Sequence, residues 1–105
     1  IQFDFDQATI KPESTGILDD LTAYLKENDK IKIKIIGHTD LSGRKEYNLN
    51  LSLKRAEAVR DYLAARGLPP ARFQVEGAGE GRPLISESTP DANARNRRTE
   101  FQVIP

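Results

Sequence analysis

The sequence predicts a two-layer α/β sandwich of the α+β type, βαβαβ(α)β, with a mixed sheet and helices on one face. Short segments that alternate apolar and polar residues recur along the chain, separated by longer segments with helical periodicity. All the strand-like segments alternate, whereas strands covered by helices on both faces read as continuous apolar runs. We therefore expect right-handed crossovers between parallel neighbours, and a last strand that is free to run antiparallel.

The strand pattern occurs in segments 1–6, 31–35, 72–76 and 99–104. In the first segment, the aspartates at positions 4 and 6 alternate with phenylalanines and are expected on the solvent face, with Asp6 at the rim of a cleft. In the second, β-branched residues alternate with Lys32 and Lys34, which are also expected to face solvent.

The helical pattern occurs in two long segments. From Pro12 to Asn28, apolar side chains recur at three- and four-residue spacing, and Pro12 suits a first helical position. A second helix is expected from Glu46 to Arg66, with Gly67 as its C-cap. Side chains that fall on the apolar period of their element are expected in the core; they include Tyr24, Leu49, Tyr62, Phe73 and Phe101.

The segment between the last two predicted strands, 77–90, is loop-like. Its glycines at 77, 79 and 81 superficially resemble a phosphate loop, but no Lys-Ser or Lys-Thr pair follows them. A flexible turn is the better interpretation. At its end, Thr89 and Pro90 are expected to cap and begin a short helix.

Length and composition predict a single domain over residues 1–105 and disfavour several functions. The chain has no cysteine, which excludes disulfides, thiolate metal sites and cysteine nucleophiles. Its 16 basic and 16 acidic residues balance, so it lacks the basic excess of a typical nucleic-acid-binding protein. Arg95, Arg97 and Arg98 do cluster, although for Arg95 and Arg98 a solvated patch is an equally good explanation.

Nothing in the sequence has the length and apolarity of a membrane span, and no basic-then-apolar leader opens the chain. Because the chain starts abruptly on the strand-like Ile1, we expect it to be a domain excised from a longer protein. Membrane attachment is then expected only through regions outside it.

A candidate recognition site follows the second predicted strand. Asp40 lies just beyond that strand, and Asn48, Ser52 and Arg55 share one face of the next helix near its start. Ligands of open α/β sheets settle beyond the carboxyl ends of the strands. Asp40 could accept from an ammonium while Arg55 forks onto a carboxylate, as in a zwitterionic ligand. A surface ion pair between Asp40 and Arg55 explains the spacing equally well.

Catalytic and metal sites are disfavoured. His38 and Asp40 are two residues apart, but a metal site needs three or four ligands and the chain has one histidine. The same scarcity argues against His-based acid–base chemistry. Ser42 and Ser52 are interpreted as turn and helix-start residues rather than nucleophiles. We expect no enzyme activity, no cofactor and no metal.

A set of motifs extends along nearly the whole chain: Gly37-His38-Thr39-Asp40, Gly43, Tyr47-Asn48, Leu51-Ser52, Arg55-Ala56, Val59, Tyr62-Leu63, and a closing Asn96-Arg97-Arg98 followed by Glu100-Phe101. Together these motifs resemble the OmpA-like (OmpA/MotB) peptidoglycan-binding domain. The resemblance implies non-covalent binding of the diaminopimelate-containing stem peptide of peptidoglycan. It implies Asp40 and Arg55 as principal contacts, with further contacts near Thr39, Leu41, Asn48, Asn96 and Arg97.

The resemblance also implies a periplasmic domain of a Gram-negative envelope protein, outer-membrane associated, that anchors the membrane or a membrane protein to the cell wall. The parent protein could be a barrel, a lipoprotein or a flagellar stator. The alternatives are a cell-wall hydrolase, an accessory domain of a stator and, from another class, a nucleic-acid-binding module.

Overall fold

The architecture was taken from a computed structural model, which describes residues 1–82 and 89–104. Its helices and strands are α1 (Thr15–Glu27), β1 (Lys32–His38), α2 (Lys45–Ala64), β2 (Phe73–Gly77), α3 (Pro90–Asn96) and β3 (Arg98–Ile104). Short 3-10 turns at Pro12–Ser14 and Pro70–Arg72 precede α1 and β2. The predicted loop 77–90 falls partly outside the described residues, at 83–88.

The three strands form a mixed sheet in the order β2-β1-β3. The central strand β1 pairs in parallel with β2, with Ile35 opposite Val75, and antiparallel with β3, with Ile35 opposite Phe101. The prediction of a mixed sheet with an antiparallel last strand is therefore confirmed.

Both long helices pack on the same face of this sheet. Buried leucines and valines of α1 and α2 form one cluster with alternate residues of β1; the central members are Leu18, Leu25, Val59, Leu63, Ile33 and Ile35. On the other face, Lys32 is exposed and half-buried Lys34 pairs with Glu76, Nζ to Oε1 at 3.0 Å. The two-layer sandwich with helices on one face is as the alternating strands predicted.

The predicted first strand is wrong beyond its second residue. Within the described residues, the 1–6 segment pairs through one isolated antiparallel bridge, between Gln2 and Arg98. After it the chain turns: Asp6 has a φ of 58° and the Gln7 amide donates to the Asp4 carbonyl at 3.2 Å. The polar residues of the turn interrupt the strand, so that Phe3 is 1% exposed whereas the next phenylalanine is 67% exposed.

Two residues predicted for the core lie outside it. Tyr24 is 52% exposed because it projects about 100° around α1 from buried Leu25. Leu49 is also 52% exposed, since it lies against the loop after β2 rather than against the sheet. Phe73 is buried, and Tyr62 and Phe101 are half-buried.

One glycine brings α2 close to the end of β1. A Cβ built on Gly37 would lie 1.8 Å from the carbonyl oxygen of Ser52, so that no other residue fits without moving α2. This close approach places the first half of α2 beside the residues that follow β1. Over the described part of the chain, no helix combines the length and apolarity needed to cross a membrane.

Candidate ligand-binding site

A small pocket lies beyond the carboxyl end of β1, between the N-terminal segment and the start of α2. Its cavity volume is about 40 Å³, room for a small polar group rather than a whole peptide. The lining residues are Phe5, Asp6, Thr39, Asp40, Ser42, Gly43, Tyr47, Asn48, Leu51 and Arg55. The predicted crevice beyond the strand end is therefore present, with Asp6 in its lining.

Asp40 supplies a carboxylate that is already held on both oxygens. One oxygen, Oδ1, accepts from the amide of Ser42 at 2.9 Å and from its hydroxyl at 2.5 Å. The other, Oδ2, accepts from Nη1 of Arg97 at 3.1 Å. Burial acts to raise the pKa of Asp40, but the donors from Ser42 and Arg97 outweigh it and hold the pKa below its ordinary value. The carboxylate is thus ionised at neutral pH.

Arg55 supplies a cation that is anchored by backbone oxygens. Its Nε donates to the carbonyl of Gln7 at 2.8 Å, Nη1 to that of His38 at 2.9 Å and Nη2 to that of Asp4 at 3.1 Å. The guanidinium also lies over the ring of Phe3, 5.2 Å from its centroid. These contacts tie α2, the end of β1 and the N-terminal segment together at one side chain.

Arg55 retains capacity for a ligand. Of five N–H groups, the three above are used, which leaves one on each terminal nitrogen without a hydrogen bond to a described residue. Burial and the neighbouring charge of Arg97 lower its pKa to about 10, and Asp40 and Asp6 oppose that shift. Arg55 therefore stays charged at neutral pH.

The interpretation of Asp40 and Arg55 as a surface ion pair is wrong. Asp40 is 4% exposed and Arg55 is 0% exposed, so neither lies on the surface. Asp40 pairs with Arg97, and Arg55 donates to carbonyls. Two opposite charges therefore line one pocket without pairing with each other.

The other predicted site residues divide into two groups. Thr39 and Asn48 line the pocket, and Asn48 donates from Nδ2 to the Ser42 carbonyl at 2.7 Å. Leu41, Asn96 and Arg97 are outside the lining, and Asn96, which precedes Arg97 in the sequence, is fully buried. Arg97 reaches the site through Asp40, and its Nε donates to the Phe3 carbonyl at 2.9 Å.

Sequence reasoning missed the contribution of the N-terminal segment. Carbonyl oxygens of Asp4 and Gln7 accept hydrogen bonds from Arg55, and that of Phe3 accepts one from Arg97. Phe5 lines the pocket. Every residue has a backbone carbonyl, so the residue types do not show which carbonyls accept these hydrogen bonds. Tyr47, which also lines the pocket and donates to Asp6, was present in the motif but had no assigned role.

His38 and Arg98 belong to the other face of the sheet. Buried His38 places Nε2 2.8 Å from Oε1 of Glu100, and burial followed by the charge of Arg98 lowers its pKa. Arg98, also buried, donates to the carbonyls of Asn96 and Arg82, so that the solvated-patch interpretation is wrong for Arg98. Exposed Arg95 fits that interpretation. Among the described residues, no His, Cys, Asp and Glu side chains group in a way that could hold a metal.

Comparison with known proteins gives one consistent result. The model of the OmpA family matches residues 2–97. Outer membrane protein A of Bordetella avium is 39% identical over 102 residues, 97% of this chain and 53% of that protein. The probable lipoprotein YiaD of Escherichia coli (strain K12) is 35% identical over 105 residues, 100% of this chain and 48% of that protein. The chain thus spans about half the length of these curated relatives.

The solved structures agree. The crystal structure of the peptidoglycan-associated lipoprotein from Burkholderia pseudomallei superposes with a TM-score of 0.96 at 34% identity. The match covers 99% of this chain and 88% of that one. The mixed α/β fold is therefore shared with a protein whose name records an association with peptidoglycan.

Proposed function

Because the chain belongs to the OmpA family, we propose that it binds peptidoglycan non-covalently and acts as an anchor rather than an enzyme. The observation that carries the proposal is the small pocket lined by a buried carboxylate, Asp40, and a buried guanidinium, Arg55. A buried carboxylate and a buried guanidinium that line one pocket without pairing with each other suit a ligand that carries both an ammonium and a carboxylate.

The ligand we propose is the diaminopimelate residue of the stem peptide. Its free end carries an ammonium and a carboxylate on one carbon. Asp40 accepts from the ammonium, while the two remaining N–H groups of Arg55 donate to the carboxylate. Each charge-assisted bond contributes roughly 1.5 to 3 kcal/mol, so one site binds weakly. Many copies on one polymer raise the overall strength.

The remaining pocket residues suit recognition better than catalysis. The Ser42 hydroxyl donates to Asp40, a weak base because its pKa is held below the ordinary value, and His38 is directed toward Glu100 on the far face of the sheet. An activated nucleophile would need its hydroxyl within reach of a general base. The same arrangement gives no support to a wall hydrolase.

We further propose that the domain works in the periplasm of a Gram-negative cell, in association with the outer membrane. Support comes from the names of the relatives: an outer membrane protein, a probable lipoprotein and a peptidoglycan-associated lipoprotein. Attachment of the wall to a membrane would require an anchor elsewhere in the parent protein.

Co-sedimentation with purified peptidoglycan tests the function. The wild-type domain should pellet with the polymer, and Asp40→Ala or Arg55→Ala should stay in the supernatant. Asp61→Ala and Arg60→Ala, which change an acid and an arginine on the exposed side of α2, should pellet like the wild type. Circular dichroism should show that each variant is folded. Undiminished pelleting of both folded pocket variants would refute the site.

A further inference from the structure

The contacts of Asp40 point to a residue that the motifs do not single out. We propose that Ser42 is a positioning residue for wall-peptide binding, because its amide and hydroxyl together hold the Asp40 carboxylate in the orientation that receives the ligand. The inference rests on the proposed function, since it concerns the carboxylate assigned to the ammonium.

Ser42 binds one oxygen of Asp40 at two points. The amide nitrogen lies 2.9 Å and the hydroxyl oxygen 2.5 Å from Oδ1. A single hydrogen bond would let the carboxylate rotate about its own axis, whereas two donors from one residue on one oxygen, opposed by Arg97 on the other, hold the carboxylate plane.

Ser42 is itself held in place by α2. Asn48 donates from Nδ2 to the Ser42 carbonyl at 2.7 Å, and both residues line the pocket. Between them Gly43 has a φ of 89°, a conformation that favours glycine and lets the chain turn into the helix. The helix therefore positions Ser42 through Asn48, and Ser42 in turn positions the carboxylate of Asp40.

This arrangement lowers the cost of binding. A carboxylate that is already oriented loses little conformational freedom when an ammonium arrives. Without the hydroxyl, the carboxylate would keep the amide and Arg97 as donors but would lose one that favours its charged form. Other charged or titratable groups around the pocket are Arg55 and Tyr47 on α2 and Asp6 in the N-terminal segment.

Calorimetric titration with a soluble diaminopimelate-containing muropeptide, between pH 3 and pH 7, tests the inference. Ser42→Ala should weaken binding at neutral pH about three- to tenfold, and binding should be lost at a higher pH than in the wild type. Ser42→Thr keeps a hydroxyl and should restore both properties. Thr15→Ala removes a hydroxyl that donates to the Pro12 carbonyl at the exposed start of α1, and should change neither.

The outcomes separate the inference from the proposed function. If Ser42→Ala binds with the affinity of the wild type and loses binding at the same pH, the positioning role is overturned and the proposed function is not. A folded wild-type domain that failed to bind the muropeptide would overturn the proposed function, and the inference with it. If Ser42→Ala is less thermally stable but loses binding at the same pH as the wild type, Ser42 has a structural role only, and the inference is also overturned.

Discussion

Two arginines near opposite ends of β1 each donate hydrogen bonds to three backbone carbonyls, but their surroundings differ. At the start of the strand, Arg72 donates from Nη1 to the carbonyl of Leu25 at 2.7 Å and from Nη2 to those of Asn28 and Ile31 at 2.7 and 2.9 Å. These oxygens lie at the end of α1 and just after it. At the far end of the strand, Arg55 also donates to three backbone carbonyls.

The difference lies in what surrounds each guanidinium. Arg72 is half-buried and closes the end of a helix, where carbonyls lack intrahelical donors. Arg55 is fully buried beside a pocket that also contains Asp40. Anchoring by carbonyls is thus structural at both ends, and only the pocket and its opposite charge distinguish the candidate binding site. Three changes test this distinction.

The largest expected effect follows from Arg55→Leu. Three carbonyls would lose their donor, and an unpaired buried group costs about 1 to 3 kcal/mol. Urea denaturation should show a free energy of unfolding lower by at least about 3 kcal/mol. Wall binding should also be lost. A decrease below about 1 kcal/mol would show that the carbonyl contacts are not needed to hold the N-terminal segment.

A smaller effect is expected from Arg72→Leu. The hydrogen bonds to its three carbonyl partners are all partly buried, whereas the bond from Arg55 to the His38 carbonyl is fully buried, so the free energy of unfolding should fall by about 2 kcal/mol. Peptidoglycan binding of the folded variant should match the wild type in the sedimentation assay. Weakened binding with the fold intact would contradict the separation of the two ends.

The smallest effect concerns the pH dependence at Asp40. Because its pKa is lowered in the folded state, ionised Asp40 stabilises the fold above its unfolded pKa of about 3.9, and this contribution is lost as pH falls through the folded pKa. Asp40→Asn should therefore lower the free energy of unfolding by about 1 kcal/mol at pH 7, and less near pH 3. Urea titrations at both pH values measure the difference in the free energy of unfolding between the wild type and the variant. A difference that is larger near pH 3 than at pH 7 would contradict the predicted direction of the pH dependence.

How far the sequence predicts this molecule depends on which interactions are local. The alternation around Ile33 and Ile35 is local and predicted the buried face of β1. The helical spacing of Asn48 and Arg55 likewise placed both on the pocket. The N-terminal segment was mispredicted because its alternation matches a strand, while its conformation depends on arginines far along the chain.

The same limit applies to the partners within the site. Arg55 binds the Gln7 carbonyl across 48 positions, and Arg97 binds Asp40 across 57. Helix and strand periodicity relates only residues that are close in the sequence, so no local pattern could predict either contact. The family motif included Arg97, but its route to the pocket through Asp40 required the folded arrangement.

The most direct test of the account compares two soluble stem peptides that differ at one residue, diaminopimelate or lysine. Lysine keeps the ammonium but lacks the terminal carboxylate, so it can satisfy Asp40 and not Arg55. By calorimetry, the wild-type domain should bind the diaminopimelate peptide at least about tenfold more tightly, since a charge-assisted bond contributes roughly 1.5 to 3 kcal/mol. Equal affinity for the two peptides would contradict the assignment of the zwitterionic group to the Asp40 and Arg55 pocket.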